Sequence, residues 1–186
     1  TPLVTIGAYT RRLLDTFGTS RFKKEHLEVI QNEVKRLELI SNEILDYSRE
    51  TKLDLRDCDL RIIVNDTMVL IMQQLKDSGI SLKTRFTNDQ LPVKVDTNRI
   101  RQVLYNLVQN SIEEMNGGGT LIIRTRMEGK FAVIDVEDTG KGIPDNIRQK
   151  LFTPFFSTKA KGSGLGLPVS KKIIDDHGGY IKVITR

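Results

Sequence analysis

FAVIDVEDTGKGIP, residues 131–144, decides how the rest of the chain reads. Its first half is an apolar run of strand length, rich in β-branched residues. Its second half places Asp138 beside two glycines, Gly140 and Gly142, one residue apart. A buried strand therefore ends in a carboxylate and a loop whose backbone is approached closely, because glycine allows shapes and contacts that a Cβ blocks. Upstream, GGGTLIIRTRMEGK supplies a partner strand, and the pair predicts a hairpin turning at Glu128–Gly129. Further upstream, TNRIRQVLYNLVQNSIEEM predicts a strongly amphipathic helix. LRIIVNDTMVLIMQQLKDSG predicts a helix ending at Gly79, and ISLKTRF and LPVKVD predict short strands. Downstream, PDNIRQKLF predicts a short helix, LPVSKKIIDDHGG a longer one ending on paired glycines, and YIKVITR a last strand. Helices and strands segregate as in a helix-on-sheet sandwich rather than alternating as in a nucleotide-binding doubly wound sheet.

The first fifty residues differ. In TPLVTIGAYTRRLLDTF the apolar residues Leu3, Ile6, Leu13 and Phe17 keep a helical stripe, with Pro2 suited to a first turn. The next helix spaces Leu27, Ile30, Val34, Leu37, Ser41, Ile44 and Ser48 by alternating threes and fours, the seam of a coiled coil or bundle. Two helices cannot bury such stripes alone, so a second copy completing a four-helix core is expected. The expected architecture is α+β: a helical hairpin over residues 1–50, a charged linker over 51–58, and an α/β sandwich with a mixed, mainly antiparallel sheet over 59–186.

Bulk properties narrow the function. The 186 residues are 38% hydrophobic, without tryptophan, so an aliphatic core is affordable and disorder is not expected. A net charge of +5 from 29 basic and 24 acidic residues, intermixed, does not make the concentrated basic face of a nucleic-acid binder. One cysteine, Cys58, excludes an internal disulfide, and two histidines make a zinc site improbable. No apolar run reaches the length of a membrane span and no signal peptide opens the chain, so a membrane would be met only through segments outside it. A cytoplasmic location is expected.

Four pieces carry chemistry. Asp138 offers an acceptor to an exocyclic amine. GSGLGL, Gly162–Leu167, runs three glycines into a helix, so its N–H groups and the positive helix end suit phosphate. NLVQN sets Asn106 and Asn110 four apart on one helical face. An amide oxygen is a hard ligand suited to Mg²⁺, which takes its remaining ligands from water and phosphate. LFTPFFSTKAK places Phe152, Phe155 and Phe156 to fasten one end of a loop to the core, while Ser157, Thr158, Lys159 and Lys161 reach an anion. The segment between reads as a lid. Each piece alone has a plain structural reading: a turn, a linker, surface amides, core aromatics under a solvated basic loop.

In this order the four resemble the ATP-binding (Bergerat) domain shared by gyrase, Hsp90, MutL and histidine kinases. Asn106–Asn110 look like its N box, Asp138–Gly142 its G1 box, Phe152–Phe156 its F box and Gly162–Leu167 its G2 box. The F box and the wording STKAKGSGLGL resemble sensor histidine kinases, the nitrogen-regulation type in particular. The resemblance covers the chain from about Asp59 onward. It implies ATP and Mg²⁺ as cofactors, with Asp138 binding the adenine amino group and Gly140, Gly142 and Ile143 around the ring. It further implies Asn110 as the metal ligand, supported by Asn106. Gly164, Leu165 and Gly166 would face the phosphates, assisted by Lys159 and Ser163, with Gly162 and Leu167 completing the box. Many relatives carry lysine three positions after the second asparagine; here stand Glu113 and Glu114, so Lys159 is expected to substitute.

Thr1-Pro2-Leu3 resemble the tail of the H-E-x-x-(T/N)-P-L motif that opens the dimerisation helix of these kinases. The resemblance places the phosphoacceptor four residues ahead of Thr1 and implies a role for Thr1 in orienting water for dephosphorylation of the regulator. His26 lacks the motif, and His177 is expected to serve a helix end. The chain is expected to be an excerpt of a longer sensor that also continues past Arg186, leaving a possible exposed sheet edge. The implied activity is autophosphorylation of that histidine and transfer to a response-regulator aspartate, by a homodimer. Rival readings are a conformational ATPase, which usually places a glutamate base where Asn106 stands, an anti-sigma serine kinase, and an ATP-binding switch without catalysis.

Overall fold

The computed structural model describes residues 7, 8, 10, 11, 14, 15, 21–48, 52–87, 89–159 and 162–185, the side chains of residues 21–26, 39, 43 and 46–48 excepted. Thr1, Lys161 and the His26 side chain therefore lie outside the described residues. The chain divides into two compact units, Thr1–Glu50 and Thr51–Arg186.

In the first unit residues 7, 8, 10, 11, 14 and 15 are helical and α1 spans Arg21–Ser48. A Cβ built on Gly7 would stand 3.5 Å from a Val34 methyl, so the first helical segment crosses α1 closely there. Val34 is buried, but Ile30, Leu37 and Ile44 of the same seam are exposed.

The second unit begins with a difference from expectation. Arg56–Asp59, read as mostly linker, forms β1, which pairs antiparallel with β3 (Pro92–Val95). Charge at Arg56, Asp57 and Asp59 hid a short edge pairing that leaves its side chains largely in solvent. Between them lie α2 (Leu60–Asp77) and β2 (Ile80–Phe86). Asp59 caps α2 by accepting from the Arg61 N–H at 3.0 Å. Gly79, at φ +67°, ends that helix in the left-handed conformation that the C′ position favours.

Next come α3 (Thr97–Glu114), β4 (Gly119–Glu128) and β5 (Phe131–Asp138). β2 pairs parallel with β4, and β4 pairs antiparallel with β5, giving the order β2-β4-β5. Glu128 pairs with Phe131, so the hairpin turns at Gly129–Lys130, one residue later than expected. Leu121 and Ile123 of β4 are buried against Ile63, Val64 and Met68 of α2 and Leu104 and Val108 of α3. On α3's other flank, Val103 packs with Leu165, Val169 and Ile173, the last two in α5 (Gly166–Asp176).

Asp96 joins three segments. It caps α3 by accepting from the Asn98 and Arg99 N–H groups at 3.1 and 3.2 Å, accepts from Asp54 N–H, and donates its own N–H to His177 Nε2 at 2.9 Å. His177 Nδ1–H donates to Ile173 O at 2.7 Å, so this histidine serves the end of α5 as expected.

Two downstream expectations fail. The helix expected over PDNIRQKLF is one turn, α4 (Asp145–Arg148), followed by isolated turns. Arg148, Gln149 and Lys150 are all exposed, leaving no apolar face to extend, and Pro154 disfavours helical backbone at Thr153. Residues 180–185 half-bury alternate side chains as an extended segment does, yet form no strand ladder. Tyr180 meets the Phe131 ring edge-on, centroids 5.4 Å apart, and Thr185 Oγ1 accepts from Ile143 N–H at 3.2 Å. Alternation requires only extended backbone; a ladder also requires an aligned partner.

Candidate functional site

Successive turns of α3 hold every other piece of the site. Asn106 Nδ2 donates to Gly166 O at 3.3 Å and Ser170 Oγ at 3.4 Å, fixing the helix to the start of α5. One turn on, Asn110 Oδ1 accepts from Lys159 Nζ at 3.1 Å. Ser111 Oγ donates to Asp138 Oδ2 at 2.9 Å. Glu113 pairs with Lys159, and Glu114 Oε2 pairs with Lys141 Nζ at 2.9 Å. Segments up to 64 residues apart in sequence thus converge on one helix.

Asp138 Oδ1 accepts from the Gly140 N–H at 2.9 Å. A Cβ at Gly140 would lie 2.8 Å from that oxygen and 3.2 Å from Glu114 Cβ, so the last turn of α3 is what approaches there. Gly142 adopts φ +73° and turns the loop away. Beyond it an open cleft of about 460 Å³ is lined by Lys141, Ile143, Pro144, Asp145, Arg148 and Thr185.

On the other side of α3, α5 begins with Leu165 at the N-cap and makes no side-chain cap. Its first helical bond runs from Val169 N–H to Leu165 O, and Pro168 has no N–H, so the N–H groups of Gly166 and Leu167 are the helix's open donors among the described residues. An uncapped helix start facing a glycine loop is a ready anion site. Leu165 divides its roles: its side chain is 0% exposed in the α3–α5 core, and its N–H donates to Ser163 Oγ at 3.2 Å. Gly164 is at φ +69°, where a Cβ would lie 2.5 Å from the Phe155 carbonyl carbon.

The loop's anchor is not the one expected. Phe155 is 66% exposed and itself at φ +66°, while Phe152 and Phe156 are half-buried. Its anchor is Leu165, together with the bond from Phe155 N–H to Gly164 O at 3.1 Å. Ser157 Oγ accepts from Lys159 N–H at 3.1 Å, and Gly162 N–H donates to Lys159 O at 3.2 Å, so Ser157 and Gly162 shape the bend that presents Lys159. Thr158 is exposed beside them.

The donor set suits a hard cation in one respect. Asn110 Oδ1 already accepts from a positive group, the Lys159 ammonium, and the Glu113 carboxylate lies on the same ammonium. No cluster of three or more His, Cys, Asp or Glu side chains among the described residues could hold a metal unaided.

Sequence reasoning missed Ser111, Ser170 and the Asp96–His177 bond. Ser111 had one signal: a polar residue in α3's buried stripe, where every neighbour on that face is aliphatic.

Comparison with known proteins decides the family. Residues 1–52 match the family model "His Kinase A (phospho-acceptor) domain", and residues 95–186 match "Histidine kinase-, DNA gyrase B-, and HSP90-like ATPase". The chain belongs to the sensor histidine kinases. It is 37% identical over 161 residues to sensor histidine kinase ZraS of Escherichia coli (strain K12), which covers 86% of this chain and 34% of that protein. It is 30% identical over 183 residues to sporulation kinase A of Bacillus subtilis (strain 168), covering 98% of this chain and 30% of that protein. The chain thus spans about a third of the length of these relatives. The nucleotide-free catalytic domain of histidine kinase ThkA superposes with TM-score 0.63 at 34% identity, over 67% of this chain and 82% of that one. ThkA in complex with response regulator protein TrrA superposes with TM-score 0.74 at 33% identity, over 96% of this chain and 52% of that one.

Proposed function

We propose that the second unit binds Mg²⁺-ATP and that the protein transfers the γ-phosphoryl group to a histidine that the family motif places ahead of Thr1, and from there to an aspartate of a response regulator. The observation that carries this reading is α3 itself, whose Asn106, Asn110 and Ser111 hold the uncapped α5 start, the lid lysine and the strand-end carboxylate within one and a half turns.

Asp138, an acceptor at the strand end, takes the amino edge of the base, with Gly140, Gly142 and Ile143 leaving room for the ring. The phosphates meet the N–H groups of Gly166 and Leu167 and the loop of Gly162, Ser163 and Gly164, with Ser157 and Thr158 at its rim. A Mg²⁺ ion, when bound with the nucleotide, neutralises triphosphate charge. Asn110 would hold it through Oδ1, and Lys159 would move from that oxygen to the phosphates, supplying the positive charge that Glu113 does not. Asn106 positions the α5 start and needs no proton-transfer role, because a neutral imidazole nitrogen is already nucleophilic. This is also why a conformational ATPase, which requires a base to activate water, fits less well. Thr1 is proposed to act in dephosphorylation of the regulator.

Homodimerisation through the helical unit follows from the exposed seam residues Ile30, Leu37 and Ile44, which a second copy would cover. The proposed location is cytoplasmic; among the described residues no helix is long and apolar enough to cross a membrane. The lid wording favours a nitrogen-regulation type of kinase.

The test is labelled ATP with a chain that begins ahead of Thr1 and carries the acceptor histidine. Acid-labile, base-stable phosphate is expected, and Asp138→Asn should abolish it together with nucleotide binding. Nucleotide binding without such phosphate would favour a non-catalytic switch; binding unaffected by Asp138→Asn would refute the site.

A further inference from the structure

Ser111 has no part in the motif that brings Asn106 and Asn110 together, yet it sits between that helix and the carboxylate on which base recognition rests. It is 5% exposed and is the one polar residue among the buried residues of α3. Alanine would serve a buried helical position better, since it has the highest helix propensity and no polar atom to satisfy. A serine there needs a partner, and two oxygens lie within reach: Leu107 O at 3.2 Å and Asp138 Oδ2 at 2.9 Å. The hydroxyl carries one hydrogen. Leu107 O stands at the i−4 position, where the helix ladder supplies the Ser111 N–H. The carboxylate is the nearer acceptor and the stronger, because a charged acceptor about doubles the strength of a hydrogen bond.

Asp138 needs this help. It is exposed at the end of β5, on the strand face that Ala132, Ile134 and Val136 turn to the core. Gly140 N–H engages Oδ1 alone, which leaves the carboxylate able to swing about that bond. The Ser111 bond to Oδ2 supplies a second fixed point from a different element. Each carboxylate oxygen accepts about two hydrogen bonds, so both retain capacity for a ligand.

We infer that Ser111 is a positioning residue for base recognition: it clamps Asp138 so that its remaining lone pairs select a purine that presents an amino group over one that presents an oxo group at the same place. This rests on the nucleotide-binding reading above and adds to it a residue acting through Asp138, with no contact to phosphate or metal.

The experiment measures affinity of the full chain for ATP, GTP and inorganic tripolyphosphate by calorimetry, for the native protein, Ser111→Ala and Ser111→Thr. Ser111→Ala is expected to weaken ATP about tenfold, the scale of one charge-assisted hydrogen bond. It should narrow the preference for ATP over GTP and leave tripolyphosphate unchanged; Ser111→Thr, which keeps the hydroxyl, should restore the preference. A general packing defect would weaken all three ligands together and would not be rescued by threonine, and that pattern overturns the inference. So does Ser111→Ala with native ATP affinity and native discrimination. A native chain that takes up no ATP would instead overturn the nucleotide reading, and the inference with it.

Discussion

Replacing Gly164 by alanine should separate ligand binding from folding. Gly164 sits at φ +69°, a left-handed conformation that costs an L-residue roughly 1–2 kcal/mol. The new Cβ would lie 2.5 Å from the Phe155 carbonyl carbon and 2.8 Å from both Phe155 Cα and Phe156 N. Carbon atoms rest about 3.5–4.0 Å apart, so the overlap is about 1 Å, and it is with backbone, which cannot rotate away. The loop must then shift and forfeit the Phe155 N–H to Gly164 O bond, at about 0.5–1.5 kcal/mol. Together these penalise the present loop conformation by about 1.5–3.5 kcal/mol, or about 10- to 300-fold in affinity for a ligand that requires it. The loop can yield locally while Leu165 stays in its core, so the urea midpoint should barely move. Calorimetry with ATP and urea unfolding read the two effects. Gly178→Ala is the control: φ is +72° with nothing within 4 Å of its Cβ, so strain without overlap should lower stability by about 1–2 kcal/mol and leave affinity alone. Native ATP affinity in Gly164→Ala would refute the reasoning.

Leu165→Ala should do the reverse, costing about 2–5 kcal/mol in urea unfolding because the side chain is wholly buried between α3 and α5; a loss below about 1 kcal/mol would remove it as the loop's anchor. Glu113→Gln releases Lys159 from its ion pair, so Mg²⁺-free ATP affinity should rise by up to about fivefold, the limit set by a partly exposed pair worth about 0.2–1 kcal/mol; a fall would mean that Glu113 itself serves the nucleotide. The Arg61 guanidinium beside Asp59 holds that carboxyl down to about 2, aided by N–H bonds from Arg61 and Leu91 and opposed by burial. A depressed carboxyl stabilises the fold above its ordinary range and loses that contribution as pH falls toward 2. Urea midpoints should therefore drop between pH 4 and pH 2 for the native chain and drop less for Asp59→Asn, which keeps the cap but cannot titrate; equal slopes would contradict the assignment.

Much of the site was legible because its signals are local. Asn106 and Asn110 share a face by helical period, and Gly140, Gly142 and Gly164 stand out wherever a Cβ is excluded. The strand that delivers Asp138 is a plain apolar run. Pairings between distant segments were not legible. The parallel match of β2 with β4, the Ser111–Asp138 bond across 27 residues and the His177–Asp96 bond across 81 arise from packing alone. Local pattern also misled where it was incomplete. Three phenylalanines in five residues suggested a core anchor, but the left-handed turn at Phe155 points that ring outward and gives the task to Leu165. Charge hid β1, whose pairing needs only backbone.

Glu113 sets the electrostatics around Asn110. On the proposed reading a carboxylate there repels a triphosphate, yet it also collects the Lys159 ammonium onto α3. Lys159 is thereby held at Asn110, so on the proposed reading nucleotide binding requires an exchange of partners. On that reading the Lys159 charge becomes available to the phosphates.

The most direct measurement is a titration of the chain with Mg²⁺-ATP followed by backbone amide shifts. Saturable changes should appear at Gly140, Gly142, Gly164, Gly166 and Leu167 together, at one ligand per chain. Saturating nucleotide that leaves those five amides unmoved while others shift would contradict the proposed nucleotide site on α3.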